Sequence, residues 1–210
     1  MLLRIIMIVE YFGIPGSGKT FQASLFKERL WQEGIKYIDI SRYSGMPLWL
    51  KVFYKLADYA ILVLPKYRKQ IAEYKAACKD CPKDPAFVPF TLDYCIKDIV
   101  LYSFVNDIFR RSVKTIVNDE GRLHRVVFLI VQFNCPFEPV FGIYLSHKHN
   151  ETIRYVHTSS EQAFQNIKNR NRKVCPMDEM DDKLLKEYIG TFEVVCEEVT
   201  NNYSSAIEIV

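Results

Sequence analysis

The sequence predicts an α/β fold: a mostly parallel five-stranded sheet with helices on both faces and a helical insertion. Three observations predict it. Short apolar runs alternate with longer helical patterns, the arrangement of a parallel sheet covered on both sides. A glycine-rich segment, Gly13-Ile14-Pro15-Gly16-Ser17-Gly18-Lys19-Thr20, follows the first apolar run and opens the first helical pattern. An acidic pair, Asp119-Glu120, closes the third apolar run. A chain of 210 residues with 49% hydrophobic content suits a single domain over 1–210.

The elements are expected in this order. Leu2 to Val9 is a buried strand, and Lys19 to Glu33 is a helix that Gly34 terminates. Lys36 to Ile40 is the second strand, with the polar turn Ser41-Arg42-Tyr43-Ser44-Gly45 at its end. Residues 47–64, 66–78 and 89–110 are helical, and prolines 82, 85 and 89 separate the last two. They make up an insertion over about 45–110. Ser112 to Val117 is the third strand. Helices follow at Gly121 to Phe133 and Pro136 to Ser146, then a strand at Thr152 to His157. Glu161 to Asn169 is a helix capped by Ser159 or Ser160. Met180 to Thr200 is one helix or two, and Ala206 to Val210 is an edge strand.

Residues 13–20 fit G-x-x-x-x-G-K-[ST] at every fixed position. Strand, glycine loop and helix in that order bind nucleotide phosphates, which makes the expected architecture a P-loop NTPase fold. The glycines let backbone N–H groups turn inward on an anion, and the helix N-terminus adds its positive dipole end. Lys19 is placed to reach the β- and γ-phosphates of ATP, and the Thr20 hydroxyl to ligate Mg²⁺. In such folds a carboxylate after a second apolar strand acts on the same ion. Asp119 is read as that metal ligand and Glu120 as the group that deprotonates or orients a substrate hydroxyl. The reverse assignment stays open, as does simple capping of the next helix. Arg125 lies about one turn beyond Glu120, where it could clamp substrate. His124 reads as a packed or solvent-facing histidine.

Several classes are excluded. A net charge of +3 without a dense basic block argues against nucleic acid as a partner. No apolar stretch is long and charge-free enough to span a bilayer; Lys51, Lys55 and Asp58 interrupt the best one. A cleaved signal would remove the strand before the phosphate loop, so a cytoplasmic location is expected. The six cysteines are then expected to be reduced. Cys78-x-x-Cys81 is half of a zinc pattern, and no second C-x-x-C or paired histidine spacing completes it.

Past the fourth strand, Glu161 to Asn169 leads into Arg170-Asn171-Arg172. This segment, about 161–180, resembles the lid of the nucleoside and nucleotide kinases, particularly the thymidylate-kinase-like group. That lid has a helix, an Arg-x-Arg and a further helical hairpin. Arg170 and Arg172 match the Arg-x-Arg, and Asn166 stands where the family often has another arginine. The resemblance extends in outline over the whole chain. It departs at Ser41 to Gly45, where thymidylate kinases carry Arg-Glu-Pro-Gly, and at Asp119-Glu120, where they carry Asp-Arg.

The resemblance implies an ATP-dependent, Mg²⁺-dependent phosphotransferase. Lys19, Arg170 and Arg172 would stabilise the transferring phosphoryl group. The acceptor, a nucleoside or nucleoside monophosphate, would lie between Arg42 and Tyr43 and the insertion. The alternative is a nucleotide-binding regulatory or scaffold protein that transfers little or nothing. The sequence leaves the oligomeric state open, a homodimer included.

Overall fold

The computed structural model describes residues 7–40, 47–110, 115–147, 151–170, 175–203 and 207–210. The strands are β1 (Met7–Phe12), β2 (Tyr37–Asp39), β3 (Thr115–Asn118), β4 (Glu151–Tyr155) and β5 (Ile207–Ile209). They form one sheet in the order β2-β3-β1-β4-β5. Every pairing is parallel, so β5 is an edge strand as expected. The helices are α1 (Lys19–Gln32), α2 (Leu48–Val63), α3 (Pro65–Ala77), α4 (Leu92–Phe109), α5 (Arg122–Phe133), α6 (Phe137–Ser146), α7 (Ser160–Asn169) and α8 (Asp182–Tyr203), with a 3₁₀ turn at Pro176–Glu179.

β1 sits at the centre, and its alternation divides the core. Ile8 and Phe12 face the larger cluster, built with α2 to α8. Val9 and Tyr11 face a smaller one, against Ala23 and Leu30 of α1. A period of two gives a strand two different faces, and here both are buried. The strand ends later than the sequence suggests. Tyr11 and Phe12 still pair with Arg154 and Tyr155 of β4, so the sheet runs right up to the glycine loop. The final helical stretch is a single helix, α8.

Gly34 ends α1 as predicted. It takes a left-handed φ of 68°. The Gly34 N–H donates to the Trp31 carbonyl, and the Ile35 N–H to that of Leu30, which is a Schellman stop. Ser159 caps α7 by accepting from the Gln162 N–H.

One residue of β1 breaks the apolar pattern. Glu10 is completely buried on the Ile8–Phe12 face. Its Oε1 accepts the backbone N–H groups of Leu123 and His124 at the start of α5. Gly121 makes this possible, because a Cβ there would stand 2.3 Å from Glu10 Cδ. Glu151 and Arg122 complete the polar cluster. Tyr144 Oη donates to Glu151, and the Arg122 guanidinium donates to the carbonyls of Tyr144 and His147. Burial, reinforced by the Glu151 charge, pushes the Glu10 carboxyl up to about 8. Arg122 and the two amides oppose that rise.

The pH dependence follows from that shift. An acid whose folded pKa exceeds its unfolded value contributes stability that is complete below the unfolded pKa. That contribution is lost as pH rises through the folded pKa. Glu10 therefore lowers stability progressively from about pH 4.5 to about pH 8. Replacing it with Gln keeps an acceptor for the α5 amides and removes the titration. Urea unfolding at a series of pH values should show Glu10→Gln gaining on the parent, by on the order of a few kcal/mol between pH 5 and pH 8. Parallel profiles for the two proteins would refute this account of Glu10.

Candidate active site

The glycine loop joins β1 to α1 and adopts the geometry its sequence demands. Gly16 and Gly18 have φ of 84° and 93°, which glycine tolerates best. A Cβ on Gly16 would also lie 2.5 Å from the Ala163 carbonyl oxygen of α7. α1 begins at Gly18 without any side-chain cap, so its first amides are available to an anion. The Lys19 ammonium folds back on the loop and donates to the carbonyls of Gly13, at 3.1 Å, and Ile14, at 3.0 Å. Burial lowers its pKa, against the opposing charges of Glu120, Cys196 and Asp119.

The acidic pair meets this loop across the sheet. β1 and β3 are hydrogen-bonded neighbours, so both loops open at the same C-terminal edge. Thr20 Oγ1 donates to Asp119 Oδ2 at 2.8 Å, and Asp119 is buried. Glu120, the next residue, has a side chain 49% exposed. Consecutive residues thus divide between an interior position against Thr20 and a position facing open space. Threonine hydroxyl and aspartate carboxylate are hard oxygen donors of the kind Mg²⁺ takes. The uncapped amides and Lys19 suit polyphosphate. The residues present therefore fit both groups.

Glu120 faces a cavity of about 890 Å³. The glycine loop and the start of α1 line the cavity at Pro15, Gly16, Gly18, Lys19 and Thr20. Its walls come from the insertion (Phe90, Tyr94, Asp98) and from α5 (His124, Arg125, Phe128). Phe90 stacks on Tyr94 with ring centroids 5.2 Å apart and meets Phe128 edge-on at 5.9 Å. Arg125 is held from several sides. Its Nε lies 2.6 Å from Asp98 Oδ2, its guanidinium rests 3.7 Å over the Tyr102 ring, and it donates to the Glu120 carbonyl. Arg125 thus lines the cavity, already paired with a carboxylate that the sequence reading missed.

The lid-like segment also reaches the site. Asn166 Nδ2 donates to the Gly16 carbonyl at 2.9 Å, and Thr158 Oγ1 donates to that of Ser17 at 3.2 Å. α7 is therefore docked on the glycine loop. Arg170 lines the cavity, its guanidinium 2.6 Å from Asp178. Arg172, Arg42 and Tyr43 lie outside the described residues.

Sequence reasoning missed Asp98 and the Phe90–Tyr94–Phe128 wall. These four sit on ordinary-looking helical or loop sequence, and only the packing of α4 on α5 brings them together. His124, for which the sequence admits a packed or a solvent-facing place, is packed: it is buried in the cavity wall, with Nε2 3.9 Å from Glu120. Burial, helped by the Lys19 charge, drives its pKa down to about 3. A base so depressed stays neutral above that value. The His124 ring resonances in an NMR titration should accordingly show no inflection between pH 5 and pH 8. A midpoint near the ordinary 6.5 would mean the ring is hydrated and the wall open.

Solved structures provide the comparison. No protein-family model and no curated protein matches the chain. Three structures of deoxyadenosine kinase from M. mycoides superpose on it. The dATP-bound form does so at 18% identity over 97% of this chain and 90% of the other, with a TM-score of 0.50. The dCTP-bound form gives 17%, 97%, 89% and 0.51. The form holding dCMP and a flexible dCDP gives 16%, 97%, 90% and 0.52. The chain has an α/β P-loop NTPase fold. At this level of identity the likeness carries the architecture alone.

Proposed function

We propose that this protein is an ATP-dependent phosphotransferase whose acceptor is a nucleoside or nucleoside monophosphate. The observation that carries the reading is the 2.8 Å contact between Thr20 and Asp119, Thr20 itself lining a cavity with aromatic rings in its wall. On this reading a phosphate-binding loop, a metal-binding pair and a slot for a flat acceptor adjoin one another.

On this reading the roles divide as follows. Backbone N–H groups of the glycine loop, Pro15 excepted, and of the first turn of α1 would hold the ATP phosphates. Lys19 leaves the Gly13 and Ile14 carbonyls and turns to the β- and γ-oxygens, where its charge is worth most. Thr20 and Asp119 would hold Mg²⁺, whose charge offsets that developing on the phosphate oxygens. Burial of Asp119 beside Thr20 favours it as the ligand and leaves Glu120 as the base. Glu120 then takes the proton of the acceptor hydroxyl as its oxygen bonds to the γ-phosphorus, and ADP leaves. Arg170, and Arg172 after it, supply guanidinium charge to the transferring group once Arg170 is released from Asp178.

The acceptor reading rests on the aromatic wall of the cavity. The Phe90, Tyr94 and Phe128 rings can stack a planar base. The paired Asp98 and Arg125 offer an acceptor and donors side by side, which suits the mixed hydrogen-bonding edge of a base. Superposed structures of a deoxyadenosine kinase with dATP, dCTP and dCMP support the same class.

The test is label transfer from γ-labelled ATP with Mg²⁺ to a panel of nucleosides, nucleoside monophosphates and sugars. A nucleoside-class product is expected. Lys19→Ala should lower its rate by roughly 10²–10³-fold or more, and Asp98→Asn should change which bases are accepted. Full transfer by Lys19→Ala would refute the mechanism.

One observation favours a second reading, in which the chain binds nucleotide to control a partner. The outer face of α2 exposes Leu48, Trp49, Val52, Leu56 and Tyr59, and exposed apolar patches commonly mark contact surfaces. ATP binding with no labelled product, together with nucleotide-dependent partner capture lost on Trp49→Asp, would favour it.

A further inference from the structure

The half-pattern Cys78-x-x-Cys81 has a third member that no sequence spacing announces. α3 ends at Cys78, and the Cys81 N–H donates to the Cys78 carbonyl at 3.1 Å, closing the turn between them. Cys135 follows α5. There Asn134 takes a left-handed φ of 45°, and the Cys135 N–H folds back to the Ile130 carbonyl at 3.1 Å. The two turns meet. The Sγ atoms of Cys78, Cys81 and Cys135 all lie within 4.8 Å of one another, and those of Cys78 and Cys135 are 3.5 Å apart. All three are free thiols; Cys78 and Cys135 are buried and Cys81 is partly exposed.

We propose that Cys78, Cys81 and Cys135 form a three-thiolate site for a thiophilic divalent cation, Zn²⁺ in the first instance, with a fourth position open to water beside Cys81. The distances suit it. At a Zn–S bond of about 2.3 Å, two sulfurs on one tetrahedral ion stand roughly 3.8 Å apart. The 3.5 Å pair is close to that value and every other separation is at most 4.8 Å, so small rotamer changes centre the ion. The chemistry suits it as well, since three soft sulfur donors without an oxygen ligand select zinc over Mg²⁺ or Ca²⁺. Binding replaces thiol protons with the metal and releases them to solvent.

The position gives the site a consequence. The loop between α3 and α4 is already fastened to the end of α5, where Gln132 Oε1 accepts the Val88 N–H at 3.0 Å and the Gln132 carbonyl accepts that of Ala86 at 2.8 Å. The same loop carries Val88 and Phe90 into the cavity wall. A cation on the three cysteines ties the insertion to the core helix at a second point, one turn from the first.

The test uses the reduced, chelator-stripped full chain titrated anaerobically with Co²⁺ and then Zn²⁺. One equivalent of Co²⁺ should give intense tetrahedral d–d bands and near-ultraviolet thiolate charge transfer, and Zn²⁺ should displace it. Native mass spectrometry should show one zinc per chain. Cys135→Ser should weaken binding by at least about tenfold. Cys81→Ser, at a partly exposed position that tolerates substitution, should do the same should Cys135→Ser fail to fold. Cys175→Ser, outside the cluster, should bind as the parent does. Absence of stoichiometric uptake would overturn the proposal. So would uptake that survives both substitutions, or a Cys78–Cys135 disulfide in the isolated protein with no metal binding after reduction.

Discussion

Much of this structure depends on one buried carboxyl. Glu10 occupies the centre of the central strand and receives the first amides of α5 on a single oxygen. That contact fixes where β3 ends and where α5 begins, and the three residues between them are Asp119, Glu120 and Gly121. Gly121 lies so close to the carboxyl that no side chain fits. Asp119 is thereby held against Thr20 and Glu120 is turned to the cavity. A carboxyl in the core is costly. Here part of the cost is met by two backbone donors, and the rest by holding the proton to about pH 8.

The site uses burial with opposite effects on neighbouring groups. Glu10 is kept protonated below the cavity, while His124 is kept neutral in its wall by the same loss of hydration. Lys19 is buried too, but it keeps carbonyls and nearby carboxylates for company. Desolvation therefore leaves the charges of the cavity to Lys19, Glu120, Arg170 and the Asp98–Arg125 pair. Charges in such a setting act strongly on a ligand and weakly on solvent.

α5 links this chemistry to the insertion. Its first turn carries the groups anchored on Glu10, its middle carries Arg125 and Phe128, and its end holds the loop that brings Phe90 to the wall. A single helix of twelve residues thus connects the phosphate end of the cavity, its aromatic wall and the cysteine cluster. Displacing either end of α5 would be felt at the other, because its faces are packed against α4, α6, α8 and β1.

The sequence by itself determined the local grammar. Gly13 to Thr20 specified the glycine loop between β1 and α1, because its left-handed positions before a helix start suit glycine best. Gly34 and Ser159 marked helix ends through conformations and hydrogen bonds that involve near neighbours only. The alternation of apolar runs with helical patterns specified a parallel sheet, because crossovers of that length permit little else. Tertiary structure decided the rest, since those contacts join distant positions with no fixed spacing. The pairing of Asp98 with Arg125 and the ring of Phe90, Tyr94 and Phe128 depend on how the insertion lies on α5. Glu10 lies just past the apolar run Leu2 to Val9, and only the arrival of α5 over it gave it partners. Cys135, fifty-four positions beyond Cys81, joined the cysteine pair because two helices happen to end side by side.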